Sequence, residues 1–128
     1  MISLPSLRHN LAVCAAQFHI ANSPGPNAAP KVWAVIKADA YGHGIENAVQ
    51  AFELADGLAM LDLNEAVRCR EAGWTKPILL LEGFFEPSDL KVFKHYSLTA
   101  TVHNAEQIAM LEQASQASAL NVFVKLNT

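Results

Sequence analysis

The sequence predicts an α/β fold in which parallel strands alternate with helices. Five short apolar runs, several of them rich in β-branched residues, are separated by segments whose apolar residues recur at helical spacing. The strand–helix units recur roughly every 20–26 residues, which is typical of parallel strands joined by right-handed crossovers. The predicted strands are 32–36, 58–61, 77–81, 98–102 and 122–126.

A helix precedes the first predicted strand. Its apolar stripe consists of Leu4, Leu7, Leu11, Ala15 and Phe18, and Pro5 and Ser6 suit its start. Its polar face lacks the basic residues of a membrane-surface helix, so we expect the stripe to pack against the domain. A surface loop rich in Pro, Gly and Asn follows at 22–27. Further helices are predicted at 43–53, 64–72, 87–96 and 104–116, the second of them ending at Gly73.

Two architectures fit this alternation. A doubly wound open sheet accounts for five strands, whereas a barrel needs eight strand–helix units in roughly 250 residues. The chain has 128 residues, so the pattern by itself favours the open sheet.

Composition excludes several function classes. At 52% hydrophobic residues, the chain can bury one core of ordinary size. The net charge is −3 and the basic residues are scattered, so there is no basic footprint for nucleic acid. No apolar run approaches the roughly 18–20 residues of a membrane span, and the N-terminus does not resemble a secretory signal. We therefore expect a cytoplasmic protein.

Cysteine and histidine placement predicts no metal site. Cys14 and Cys69 lie on separate predicted helices without CxxC spacing, and we expect buried free thiols. The five histidines show no paired helix-face spacing with a carboxylate or thiol. No GxSxG or Walker-type loop is present either.

The most informative stretch is 34–44, AVIKADAYGHG. The first strand ends at Lys37, and the chain then turns through Tyr41 and Gly-His-Gly into a helical pattern. In α/β folds, chemistry is placed at the C-terminal ends of strands. A lysine at a strand end more often only extends its stem along apolar neighbours, and a loop tyrosine is often merely half-buried. We interpret His43 as a structural loop residue.

This undecapeptide resembles the pyridoxal-phosphate attachment motif of alanine racemases. The resemblance implies that Lys37 carries the cofactor and that Tyr41 contacts its phosphate. Asp39 stands where many members have asparagine. Leu81 matches a leucine that packs near the cofactor, with plain core packing as the alternative. Residues 82–85, EGFF, resemble part of the Leu-Glu-Gly-Phe-Phe stretch of one bacterial branch.

The last residues, KLNT at 125–128, resemble the beginning of the family's Lys-x-Asp/Asn-Ser/Thr-Gly-Met-x-Arg motif. Lys125 matches a lysine that in many members is carbamylated and orients an arginine near the cofactor, with a buried strand lysine as the alternative. Asn127 stands where others have aspartate. The family has an eight-stranded barrel followed by a β-rich domain. The resemblance thus favours a barrel and predicts that residues 1–128 are its N-terminal part, with about five of eight strands.

The implied activity is the interconversion of L- and D-alanine for cell-wall precursors by a homodimer. Racemisation needs acid–base groups on both faces of the cofactor. The resemblance implies Lys37 on one face and, on the other, a tyrosine from the partner's C-terminal domain, beyond Thr128. Alternatives are a racemase of serine or of basic amino acids, a non-catalytic pyridoxal-phosphate-binding barrel, and a short self-associating product without chemistry. Such non-catalytic relatives generally lack the Tyr-Gly-His-Gly run. We expect the 128-residue chain alone to be inactive.

Overall fold

The computed structural model describes residues 3–21, 30–114 and 119–126. The predicted loop at 22–27 lies outside these residues, as do Asn127 and Thr128. The elements in chain order are α1 (Leu4–Ala21), β1 (Trp33–Val35), α2 (Lys37–Tyr41), α3 (Ile45–Ala51), β2 (Gly57–Met60), α4 (Leu63–Glu71), β3 (Ile78–Leu80), α5 (Asp89–His95), β4 (Thr99–Val102), α6 (Ala105–Gln113) and β5 (Val122–Val124). All predicted strands and helices are therefore present, most of them one to three residues shorter at an end. The element that was not predicted is α2.

The strands form one parallel sheet in the order β1-β2-β3-β4-β5. A doubly wound sheet reverses its strand order at a switch point, whereas a barrel adds each new strand on the same side. The sequential order is that of a barrel. The barrel implied by the resemblance is confirmed, and the open sheet favoured by the repeat pattern is wrong.

The sheet is strongly curled. In a flat sheet the first and fifth strands would lie roughly 19 Å apart, at about 4.8 Å per neighbouring pair. Yet the rings of Trp33 on β1 and Phe123 on β5 meet edge to face, with centroids 6.1 Å apart. The Trp33 ring lies against Gly57, where a Cβ atom would collide with it. These aromatic rings therefore meet across the concave face of the sheet.

The main core lies on the other, convex face, between the sheet and the helices. Side chains alternate along each strand, so every second residue points to this face. The strand residues buried there are Ile36, Leu58, Met60, Ile78, Leu80, Ala100 and Val102. Helix residues such as Ile45, Cys69 and Phe93 complete the same core. The β5 strand was expected to be buried, but its three residues are exposed, because no described helix covers them.

Helix α1 packs as its sequence predicts. Leu4, Leu7, Leu11 and Ala15 are half-buried, and every other described side chain of the helix is exposed. The Phe18 side chain lies outside the described residues. The guanidinium of Arg8 donates to the carbonyl of Gln50 at 3.1 Å, which ties the helix to α3. None of the described helices combines the length and the apolar character that crossing a membrane requires.

The two cysteines differ in environment. Cys69 is buried as predicted, whereas Cys14 is exposed because it lies off the apolar stripe of α1. Both are free thiols. Burial raises the pKa of the Cys69 thiol to about 12, with the Glu65 carboxylate adding to the effect.

We expect Cys69 to resist alkylation in the native protein at pH 8, because the thiolate is the reactive form. With a pKa of about 12, almost none of the thiol is ionised at that pH. Iodoacetamide labelling followed by mass spectrometry of peptides measures this. Labelling in urea is the control, since unfolding should make Cys69 and Cys14 react alike. Equal rates in the native state would show that α4 does not pack as described.

Candidate active site

Lys37 lies at the C-terminal end of β1 and projects on the concave side of the sheet. The preceding residue, Ile36, is buried on the convex side, and its N–H donates to the carbonyl of Ala59 at 2.8 Å. Side-chain alternation then directs Lys37 to the opposite face. Lys37 is half-buried, and its amine has no hydrogen-bond or ion-pair partner among the described residues.

A concave cavity of about 610 Å³ surrounds the Lys37 side chain. This size lies within the range of small-molecule and cofactor sites. Its apolar lining comes from Leu61, Leu79, Leu81 and Phe123, and its charged lining from Lys37, Glu82 and Lys125. The cavity therefore combines an apolar wall with a few charged groups that lie just beyond the ends of β1, β3 and β5.

A second cavity, of about 300 Å³, lies between α1 and the start of β1. Its charged residues are Lys31 and Asp56, which form an ion pair at 3.2 Å. The Val32 N–H donates to Asp56 at 2.8 Å and lowers the pKa of that carboxyl. Because both charges are already paired, the cavity around Lys37 is the stronger candidate site.

Lys37 opens a left-handed helical turn, α2. The φ angles of Ala38, Asp39, Ala40 and Tyr41 lie between 49° and 55°. The left-handed region costs L-residues roughly 1–2 kcal/mol each, so four in succession are a considerable local strain. The hydrogen bonds that close the turn include those from Ala40 N–H to the carbonyl of Ile36 and from Gly42 N–H to the carbonyls of Ala38 and Asp39. The sequence predicted a turn through Tyr41 and Gly-His-Gly, but the left-handed conformation begins three residues before Tyr41, at Ala38.

Tyr41 lies at the far end of this turn and is 59% exposed. Its hydroxyl has no partner among the described residues, and it does not line the cavity around Lys37. The next residue, Gly42, also has positive φ, with no atom within 4 Å of the position that a Cβ would take. The turn thus presents a free hydroxyl beside open space.

Leu81 and Lys125 both line the cavity of Lys37. Leu81 is half-buried, and its N–H donates to the carbonyl of Met60 at 2.8 Å. Lys125 follows β5, and its ammonium pairs with Glu82 at 3.1 Å. Its side chain is 42% exposed, so the alternative of a buried strand lysine is wrong.

Glu82 is the residue whose role the sequence analysis missed. Besides Lys125, its carboxylate faces Nε2 of His103 at 3.3 Å. The three residues lie one or two positions after three successive strands, which is the sequence signal that could have grouped them. Buried Gln107 holds this edge, because its Nε2 donates to the carbonyls of Glu82 and Phe84 and its Oε1 accepts from the N–H of His103.

The geometry brings Lys37, Leu81 and Lys125 to one cavity, whereas Tyr41 is not among the residues that line it. The family model for the N-terminal domain of alanine racemase matches residues 2–128 of this chain. The chain belongs to the alanine racemase family. It is 57% identical over 127 residues to the alanine racemase of Bordetella petrii, a match that covers 99% of this chain and 34% of that protein.

Solved structures of racemases share the fold. The alanine racemase of Acinetobacter baumannii superposes with a TM-score of 0.81 at 32% identity, over 98% of this chain and 36% of that one. The histidine racemase of Leuconostoc mesenteroides superposes with a TM-score of 0.74 at 26% identity, over 94% and 31%. The chain therefore spans about a third of the length of the alanine racemases it matches.

We expect Gly83→Ala to destabilise the protein by at least about 2 kcal/mol, from overpacking and an unfavourable φ. Gly83 has φ +73°, and an added Cβ would overlap the carbonyl oxygen of Thr101. Urea denaturation measures the loss. Gly73→Ala is the matched control, since Gly73 has φ +95° but open space around its Cβ position. Equal losses for the two variants would contradict the close approach of the 82–84 loop to β4.

Proposed function

We propose that this chain is the N-terminal part of the barrel of a pyridoxal-phosphate-dependent alanine racemase, with Lys37 as the residue that carries the cofactor. The observation that supports the proposal is the unpartnered amine of Lys37, half-buried in a concave cavity at a strand end of an alanine racemase family chain. An amine already bound to a carboxylate would have to leave that partner first.

The described residues fit pyridoxal phosphate. Its aldehyde requires a free lysine amine, which Lys37 has, and its phosphate requires hydrogen-bond donors in open space. The free hydroxyl of Tyr41 beside Gly42 meets the second need. Leu81 and Leu61 form an apolar wall of the same cavity and would offer an apolar surface to the cofactor's ring.

In the proposed mechanism, bound pyridoxal phosphate serves as an electron sink for charge that develops at the substrate's α-carbon. Once free of the cofactor, the Nζ atom of Lys37 removes or returns the α-proton on one face of the substrate. Inversion needs a second acid–base group on the other face. We propose that this group is a tyrosine of the partner subunit's C-terminal domain, as the family resemblance implies.

Lys125 is the second support that the resemblance implies, and its ammonium pairs with the Glu82 carboxylate at 3.1 Å. The geometry thus fits a lysine that anchors Glu82 at the rim of the cavity. A carbamylated Lys125 rests on the resemblance alone.

Alanine as the substrate, the homodimer, the cytoplasmic location and the supply of D-alanine for cell-wall precursors belong to the same proposal. The name that the similar proteins carry supports alanine as the substrate. The homodimer, the location and the cell-wall role rest on the sequence analysis and its family resemblance. A racemase for another amino acid is the second candidate, because a histidine racemase shares this fold at 26% identity. A non-catalytic pyridoxal-phosphate-binding barrel is disfavoured by the Tyr-Gly-His-Gly run at 41–44.

Borohydride treatment of the full-length protein with pyridoxal phosphate tests the assignment of Lys37. We expect mass spectrometry to find the reduced cofactor on Lys37, and Lys37→Ala to lower alanine racemisation by more than about 10²-fold, the contribution of a positioned base. Lys31→Ala is the control, since Lys31 lies at the opposite end of β1. A cofactor trapped on another side chain would refute the proposal, and faster turnover of histidine or serine would favour the second candidate.

Tyr41→Phe should weaken pyridoxal phosphate binding by about 10-fold to 100-fold, the loss of one hydrogen bond to a charged group. Reconstitution of the cofactor-free, full-length protein at increasing cofactor concentration measures this affinity. The melting temperature should barely change, because the exposed hydroxyl has no partner among the described residues. Unchanged affinity would remove Tyr41 from the phosphate site.

A further inference from the structure

We propose that Arg68 on α4 is a positioning residue for Lys37 and Tyr41, because it clamps the left-handed turn between them. The inference rests on the function proposed above, in which both ends of that turn hold the cofactor. Arg68 does not line the cavity of Lys37, and nothing in its own sequence context singles it out.

The turn needs support from outside itself. Its internal hydrogen bonds run mainly from N–H groups to carbonyls three or four residues earlier, such as Ala40 to Ile36 and Gly42 to both Ala38 and Asp39. A right-handed turn makes the same bonds without the steric penalty, so these bonds do not select the left-handed form. None of the four left-handed residues, 38–41, is a glycine. Contacts with neighbouring elements must therefore favour this conformation.

Asp39, in the middle of the turn, provides those contacts. Its N–H donates to Oε1 of Glu65 at 2.6 Å. Its Oδ1 accepts from the N–H of Ile45, at the start of α3, and from Nη1 of Arg68, both at 3.2 Å. One residue thus joins the turn to α3 and to α4.

Arg68 is itself held by a second carboxylate. Its Nη2 lies 2.9 Å from both carboxylate oxygens of Glu46, and its Nε lies 3.2 Å from Oε1. The N–H of Glu46 and the guanidinium of Arg68 both lower the pKa of this carboxyl, which therefore stays ionised at neutral pH. The planar guanidinium binds two carboxylates at once. The single ammonium group of a lysine cannot reproduce this geometry.

The exposed fractions of the three side chains indicate which property of the protein should depend on the clamp. The side chains of Arg68, Asp39 and Glu46 are 43%, 51% and 59% exposed, and ion pairs at the surface add little to global stability. The backbone that they hold, however, carries Lys37 at one end and Tyr41 at the other. Removing the clamp should loosen this segment and move both groups, while the sheet and its core remain folded.

The experiment compares Arg68→Met, Arg68→Lys and Asp39→Asn in the full-length protein. Arg68→Met keeps an unbranched stem but removes both ion pairs. Asp39→Asn keeps an acceptor for the Ile45 N–H and removes the charge that faces Arg68. Lys31→Met is the matched control, because it breaks an exposed ion pair of equal length, 3.2 Å, at the other end of the sheet.

Two readouts are needed. In the cofactor-free protein, amide hydrogen exchange over residues 38–45 should rise about tenfold in Arg68→Met, and less in the other two variants. Affinity for pyridoxal phosphate should fall about tenfold or more, as is usual when a partner that orients a ligand-binding residue is lost. Lys31→Met should resemble the wild type in both.

The outcomes separate this inference from the proposed function. Wild-type exchange and affinity in Arg68→Met would overturn the clamp, even if the cofactor binds at Lys37. Failure of the wild type to bind the cofactor at Lys37 would refute the proposed function, while the exchange measurement still decides whether Arg68 holds the turn. If Arg68→Met does not fold, the same two measurements on Arg68→Lys and Asp39→Asn test the inference. Loss of folding in all three contradicts the inference, because it would make Arg68 a support of the whole domain.

Discussion

Side-chain alternation along the strands is the constraint on which the site depends. Ile36 enters the convex core, so the next residue, Lys37, must point to the concave side. The same alternation buries Leu80 in the core and brings Leu81 to the cavity. A shift of one residue in the β1–β2 register would exchange the faces to which Ile36 and Lys37 point. The packing of the helices against the convex face therefore also determines which groups can meet on the other face.

Contacts between the segments that follow the strands, rather than contacts inside the cavity, mainly hold the candidate site in shape. Gln107 on α6 binds the chain after β3 through two carbonyls and the chain after β4 through one N–H. Glu82 is thereby kept between His103 and Lys125. Leaving any of these backbone groups buried without a partner would cost roughly 1–3 kcal/mol, so the buried amide stabilises the shape of the rim.

The left-handed turn after β1 shows strain placed beside a candidate functional residue. A strained backbone persists only where the surrounding structure compensates for it. Here the compensation comes from α3 and α4, through Asp39 and its partners. Lys37 itself has no partner among the described residues, so its position is determined by the backbone that carries it. Rigid backbone with a free amine is a suitable combination for a group that must exchange its covalent partner.

The order and type of nearly all elements could be predicted from the sequence, because hydrophobic periodicity and turn residues are local signals. The stripe of α1 and the position of Lys37 at a strand end were correct for this reason. The motif at 34–44 and its family resemblance also needed no tertiary information.

Tertiary structure alone decided the rest. Sequential strand order and the contact between Trp33 and Phe123 depend on packing between residues far apart in the chain, which periodicity does not record. The turn at 38–41 contains no glycine, so the sequence carries no local signal of its left-handed conformation. Arg68, which contacts the turn, lies 29 residues beyond Asp39 in the chain. The pairing of Glu82 with Lys125 spans 43 residues. Local sequence determines which elements form, whereas the conformations and charge pairs that lie between elements exist only once those elements have packed.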